Sequence, residues 1–290
     1  MRALVIGGTG FIGEYLCREL ISRGVEVVTV CLPGLLPEEK IRGVSYEEMN
    51  LNTDFLKLTA IIPTVDTLIL AIQPDAIRLK NIISLTANCE SLKKIVYLST
   101  VLVYPDSEDI QAESAISEPE TDYEKEKFNE EMLLREFATG REWRLAICRL
   151  GNVYGDVKNK GVVNNILLAL FDGRPFILNG NGENWRDYIY VGDVARQLAG
   201  LIAWGQAEGI GIYNICTGVG YTLNQVIGRI EEISGRRVEI TPGERNSRQK
   251  SVVGDNQKLA KILNFEPSLG LTEGLEATYN NYLKHYKLME

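Results

Sequence analysis

The sequence predicts an α/β protein built on a doubly wound parallel sheet. Two observations carry this: apolar runs alternate with amphipathic stretches through the first half, and the first run leads without a spacer into a glycine-rich turn. Apolar strands alternating with amphipathic helices imply a parallel sheet covered on both faces. Right-handed crossovers wind such a sheet in both directions, with the ligand crevice at the carboxyl ends of its strands.

The strands expected in order are residues 3–6, 25–31, 67–71, 94–99 and 144–149. Helices are expected at 12–23, 77–91 and 123–139, with a polar helical stretch at 54–62. Between the first strand and first helix lies Gly7-Gly8-Thr9-Gly10-Phe11-Ile12-Gly13. Such a turn bends sharply, lets backbone approach a pyrophosphate and lets the helix pack tightly on the strand. Free amides at the helix N-terminus face the anion. Its position between the two elements it requires marks a dinucleotide cradle rather than an ordinary turn.

After about Gly151 the texture changes. Turn clusters at Gly173-Arg174-Pro175 and Asn179-Gly180-Asn181-Gly182 separate short strands from helices at 194–204 and 223–234. This predicts a dinucleotide-binding domain over 1–155. A smaller α/β C-terminal lobe over 156–290 would close over the crevice, with a possible strand and helix returning to the first domain.

The 290 residues are 45% hydrophobic and 24% charged, ordinary for a globular chain that buries a full core. A net charge of −8 supplies no basic field for nucleic acid or an anionic membrane, so an anionic ligand needs local arginines. The five cysteines are scattered and read as reduced core residues; with one histidine, His285, there is little material for a metal site or a serine–histidine triad. No apolar run is long enough to span a bilayer, and a cytoplasmic protein is expected.

Tyr123 and Lys127 lie four apart, on one face of the helix that follows an acidic loop. A phenol has an ordinary pKa near 10, and a neighbouring ammonium together with a cationic nicotinamide would lower it enough to shuttle protons. Ser99 and Thr100 end the strand before it and supply a further hydroxyl. In isolation the Tyr–Lys pair also fits a solvated charged helix.

Taken together these residues resemble the extended short-chain dehydrogenase/reductase family of nucleotide-sugar epimerases, dehydratases and reductases. Gly7, Gly10 and Gly13 match its cofactor turn, and Ser99-Thr100-Val101-Leu102-Val103-Tyr104 its strand-end motif. Tyr123 and Lys127 match its catalytic pair. Arg149-Leu150-Gly151-Asn152-Val153-Tyr154-Gly155 resembles the segment entering the substrate lobe, and Trp185-Arg186-Asp187-Tyr188-Ile189-Tyr190-Val191-Gly192-Asp193 a later motif. Tyr213-Asn214-Ile215 and Asp255-Asn256-Gln257-Lys258-Leu259 match two further landmarks.

The resemblance implies a Rossmann-type fold and an NAD(P)-dependent epimerase or 4-keto reductase acting on a nucleotide-diphosphate sugar. Thr100, Tyr123 and Lys127 would be catalytic: Thr100 and Tyr123 hold the sugar oxygen, Tyr123 moves its proton and Lys127 holds the nicotinamide ribose. The cofactor set would be Gly7, Thr9, Gly10, Phe11, Ile12, Gly13, Cys31, Asn50, Leu70, Ala71, Ser99, Tyr123 and Lys127, with no metal. Thr100, Asn152, Asn165, Arg186 and Arg245 would bind substrate, the two arginines at diphosphate positions. Helices 77–91 and 123–139, with Phe128, Met132 and Phe137, would lie where relatives form a homodimer; folding inward onto the sheet accounts for the same residues.

The pattern also departs from the family. Cys31-Leu32-Pro33 stands where NAD-preferring members carry an acid for the adenosine ribose, and Asn50 replaces the acid beside the adenine. The nearest cations, Lys40 and Arg42, do not directly follow the strand, so NAD and NADP both remain open, NAD being favoured. Gln73-Pro74-Asp75 is shorter than the corresponding loop of relatives, and Val101 and Leu102 replace the acids of 4,6-dehydratases. Two other readings stay open: a reductase of a non-nucleotide ketone or aldehyde, and a non-catalytic dinucleotide-binding or assembly protein.

Overall fold

The computed structural model describes residues 1–37, 39–204, 209–244, 249–264 and 267–287. The chain forms two compact units that share it by turns. The first takes Met1–Val103, Ser117–Arg149 and Ala195–Tyr213; the second takes Tyr104–Ile116, Leu150–Val194 and Asn214–Glu290. The chain therefore crosses between the two units five times.

The chain begins with β1 (Arg2–Ile6), α1 (Phe11–Ser22), β2 (Glu26–Cys31), β3 (Val44–Glu48), β4 (Thr67–Leu70), α2 (Ala76–Ser84) and β5 (Lys94–Thr100). A two-residue β6 (Ile110–Gln111) precedes α3 (Asp122–Ala138) and β7 (Arg144–Leu150). Then come β8 (Asn152–Tyr154), α4 (Val162–Asp172), β9 (Phe176–Leu178), β10 (Trp185–Tyr190), α5 (Val191–Ala203) and β11 (Ile210–Ile215). The last elements are β12 (Gly220–Thr222), α6 (Leu223–Ser234), β13 (Ile240–Pro242), β14 (Val253–Gly254), α7 (Gln257–Leu263) and α8 (Leu271–Lys287).

Seven strands form one sheet in the order β11-β7-β5-β4-β1-β2-β3. β1 pairs in parallel with β2 and β4, so Leu4 lies beside Val28 and Leu68. Side chains alternate between faces. Leu4, Ile6, Val28 and Val30 join the core under α2 and α3, with Leu79, Ile82 and Leu134. Their neighbours Val5 and Thr29 belong to the opposite face, where Thr29 and Cys17 of α1 crowd Gly8. This is the doubly wound Rossmann-type sheet that the alternation of strands and helices predicts.

The five expected strands are present to within a residue. Two helical expectations fail for local reasons. Residues 54–62 form short 3-10 turns, Phe55–Ala60 and Ile62–Thr64, the second carrying Pro63 near its start; proline cannot donate to a continuing helix. The helix expected over 77–91 stops at Ser84, where Thr86, Asn88, Cys89 and Ser91 follow and are poor helix formers. The edge strand β3 was not expected, because its half-exposed residues make no apolar run.

The second unit carries a three-stranded sheet β12-β10-β8 and the two-stranded pairs β13-β9 and β14-β6. Its core draws on α4, α6 and α8, including Ile166, Leu167, Val226, Ile230, Leu275 and Tyr282. Phe171 stacks on Tyr282 and Tyr286 with ring centroids 5.5 and 4.8 Å away, which pins the C-terminal helix to α4.

Candidate active site

The glycine turn is dictated by space. Gly7 has φ +94°, and a Cβ there would lie 2.1 Å from the Ala71 carbonyl oxygen. A Cβ on Gly13 would lie 2.0 Å from the Gly7 oxygen, so α1 can pack this closely only with glycine. The turn closes through a 3.0 Å bond from Gly10 N–H to Gly7 O. Gly10 caps α1 without any side-chain hydrogen bond, leaving the first-turn amides for an anion. Thr9, Phe11 and Ile12 are half-buried around it. Leu70 is buried at the end of β4, and Ala71 N–H donates to Ile6 O. A backbone cradle that a Cβ would fill and an uncapped helix end both fit a dinucleotide pyrophosphate.

Cys31 is buried at the end of β2, with its Sγ 3.8 Å from the Glu47 carbonyl oxygen. Burial, then Glu48, pushes its thiol pKa up. Asn50, just beyond the end of β3, accepts from Asn52 N–H at 3.0 Å.

Helix α3 starts in a capping box in which Thr121 accepts from Glu124 N–H and Glu124 reaches back to Thr121 N–H. Its buried stripe is Glu124, Lys127, Glu130, Glu131, Leu134 and Ala138. Four of these six are charged, so this stripe is held by specific pairing rather than by apolar burial. Lys127 donates from Nζ to the carbonyl oxygens of Leu98 (2.9 Å) and Ile72 (3.2 Å), at the ends of β5 and β4. Its ammonium also lies 4.7 Å from the centre of the Tyr97 ring. Burial lowers its pKa to about 8, against the pull of Glu130 and Glu131. Tyr123, one turn earlier, is 41% exposed. Desolvation, then Glu130, holds its phenol above the ordinary value.

Thr100 is buried at the end of β5, where its Oγ1 accepts from Leu102 N–H at 3.2 Å. The neighbouring Ser99 behaves differently. Its hydroxyl donates to Glu131 at 2.5 Å, and Glu131 is forked onto Arg149 at 3.0 and 2.6 Å. Ser99 is thus tied into a buried Ser–Glu–Arg cluster, while Thr100 carries the hydroxyl outside it.

Glu130, Glu131 and Tyr97 escape a motif search, but spacing reveals two of them: positions 130 and 131 continue the face that carries 123 and 127. The catalytic and cofactor candidates all belong to the first unit.

Among the substrate candidates, Asn152 pairs with Tyr188 across β8 and β10, and Arg186 is half-buried on β10. Asn165 is exposed in the first turn of α4, whereas Asn164 beside it is buried and accepts from the Tyr282 hydroxyl. Arg245 lies outside the described residues. Asp187 is fully buried and accepts from Thr217 N–H, Thr217 Oγ1 and Gly218 N–H. Burial raises its pKa to about 6 despite those bonds. Asp193 similarly binds Ser268, so both motif acids hold loops in place.

The NAD dependent epimerase/dehydratase family model matches residues 3–216. The chain belongs to that family. Members similar to it include UDP-glucose 4-epimerase of Bacillus subtilis, 26% identical over 94% of each chain. A solved UDP-glucose 4-epimerase of Thermotoga maritima, in complex with UDP-glucose, superimposes with a TM-score of 0.88. It is 26% identical and covers 99% of this chain and 100% of its own. MoeE5, solved with UDP-glucuronic acid and NAD, shares the fold at a TM-score of 0.89 and 24% identity, over 98% of this chain and 100% of its own. Among the described residues of this family member, no helix is long and apolar enough to cross a membrane.

Proposed function

We propose that this chain moves a hydride between NAD and C4 of a nucleotide-diphosphate sugar, as a 4-epimerase or a 4-keto reductase. The observation that carries the reading is the Lys127 ammonium, seated on the carbonyls that end β4 and β5 one helical turn from Tyr123. Gly7 to Gly13 would hold the pyrophosphate and Lys127 the nicotinamide ribose. Bound NAD supplies the hydride acceptor and a positive charge.

Tyr123 takes the proton of the sugar 4-hydroxyl as the carbonyl forms and returns it in the reverse direction. Thr100 donates to the same oxygen, so a developing alkoxide meets a donor already in place. Lys127 is largely protonated at neutral pH with a pKa of about 8, and its charge opposes the desolvation that raises the phenol. Arg186 is proposed for the diphosphate, for which a guanidinium fork is suited, with Asn152, Asn165 and Arg245 as further contacts. NAD is favoured because MoeE5, with the same fold, holds it, and because no arginine directly follows β2 to pair a 2′-phosphate.

The same reading places the enzyme in the cytoplasm and pairs two copies through α2 and α3. Ile77 and Met132 are exposed there. Phe128 is half-buried, and Phe137 packs inward on Trp143 with centroids 5.3 Å apart.

The test is to denature the purified protein and identify the released dinucleotide and any sugar nucleotide by mass. Native protein is then incubated with UDP-glucose and UDP-galactose. Retained NAD with interconversion identifies an epimerase. Free cofactor exchange with consumption of reduced cofactor identifies a reductase, and binding of neither ligand overturns the reading.

A further inference from the structure

Glu130 takes no part in the chemistry described above, yet it is fully buried on the helix that carries Tyr123 and Lys127. An ionised carboxylate is not buried without partners that compensate its lost hydration, so those partners show what it does. It accepts the backbone N–H of Asp75 at 2.7 Å and the hydroxyl of Tyr97. One turn back, Lys127 donates to Ile72 O and Leu98 O and lies under the Tyr97 ring. These attachments coincide. Ile72 and Asp75 belong to the short segment leaving β4, and Tyr97 and Leu98 are adjacent on β5. Two side chains three apart on α3 therefore hold the same two strand ends, one by donating and the other by accepting.

We propose that Glu130 is a positioning residue: its carboxylate braces the segment after β4 and the Tyr97 ring, giving the Lys127 ammonium a fixed seat. This rests on Lys127 being the cation that holds the ribose and tunes the phenol. The short Gln73-Pro74-Asp75 connection makes the brace effective, since Asp75 is also the N-cap of α2, accepting from Arg78 N–H. The charged and titratable groups around Lys127 are Glu130, Glu131 and Tyr123 from α3 and Tyr97 from β5. Glu131 is ion-paired with Arg149 of β7, and Asp75 lies 3.6 Å from Arg78. Glu130 is bound by an amide and a phenol, both neutral, so its charge is left to act on Lys127.

The test follows the Lys127 side chain by NMR across neutral and alkaline pH, in full-length protein with carbon-labelled lysine. The signal is assigned by its loss in Lys127→Met. Glu130→Gln keeps the shape and removes the charge; the Lys127 midpoint is expected to fall by about one pH unit, the effect of losing one nearby opposite charge. Glu130→Asp keeps the charge and shortens the reach; the midpoint is expected to hold while NAD affinity, measured by calorimetry, falls several-fold. An unmoved midpoint in Glu130→Gln overturns the proposal, as does unchanged NAD affinity in Glu130→Asp, which decides alone if the first variant does not fold. Wild-type protein that binds NAD but converts no nucleotide sugar would sink the functional reading while leaving the midpoint comparison intact.

Discussion

Helix α1 buries Leu16, Cys17 and Leu20 and begins at Gly10, which offers no side chain to its first turn. Helix α3 buries Glu124, Lys127, Glu130 and Glu131 and begins in a closed capping box. On the proposed function, the contrast follows from which part of each helix meets a ligand. A helix that works by its end must leave that end open, so its stability comes from an apolar face. A helix that works by its face commits that face to charge, so its end must be capped and each buried charge partnered.

Four substitutions probe this contrast. The largest effect is expected from Tyr123→Phe, which should lower turnover by about 10²–10⁴-fold, the usual worth of a positioned acid or base. Turnover equal to wild type would mean that the face of α3 is not catalytic.

Lys127→Met tests the charged stripe through pH. The folded-state pKa of about 8 is below the ordinary 10.5, so the unfolded chain binds more protons between those values. Stability should rise with pH across that window by about 3 kcal/mol from this group, and the variant should lack the rise in denaturant titrations. Equal slopes in the two proteins would count against a buried ammonium.

Gly13→Ala tests α1. Its Cβ would meet backbone at 2.0 Å, and overpacking of this kind costs about 1–3 kcal/mol; both the melting temperature and NAD affinity should fall. Thr121→Ala gives the smallest effect. Losing the cap should cost about 1 kcal/mol, with activity per folded molecule kept; an equivalent change in NAD affinity would mean that the end of α3 also contacts ligand.

The same contrast explains what could be read from the sequence. Helix α1 and β1 announce themselves through local apolar periodicity and three glycines, so cradle and sheet were legible. Tyr123, Lys127 and Thr100 stand out as candidates only in conjunction with the other motifs. Helical spacing places Glu130 on the same face but does not show what it does, because its partners Asp75 and Tyr97 are distant in sequence and brought together by the sheet. Ser99 and Thr100 look interchangeable as adjacent hydroxyls, and the buried Glu131–Arg149 pair separates them. The helix expected at 77–91 was cut short by the polar residues after Ser84, and the stretch expected at 54–62 forms short 3-10 turns that break at Ile61, features that hydrophobic spacing alone does not weigh.

The order of strands also bears on how the protein can be divided. β7 is buried along nearly its whole length and lies between β5 and β11. β11 is contributed by residues 210–215, some sixty positions downstream of β7 in a count taken from the element bounds. A recombinant fragment ending at residue 155 would keep every glycine of the cradle and both residues of α3 proposed to be catalytic. It would also turn β7 from an interior strand into an apolar open edge, the kind of surface that recruits another chain. Expressed alone, the cofactor half should therefore self-associate unless a segment carrying β11, residues 210–215, is supplied with it.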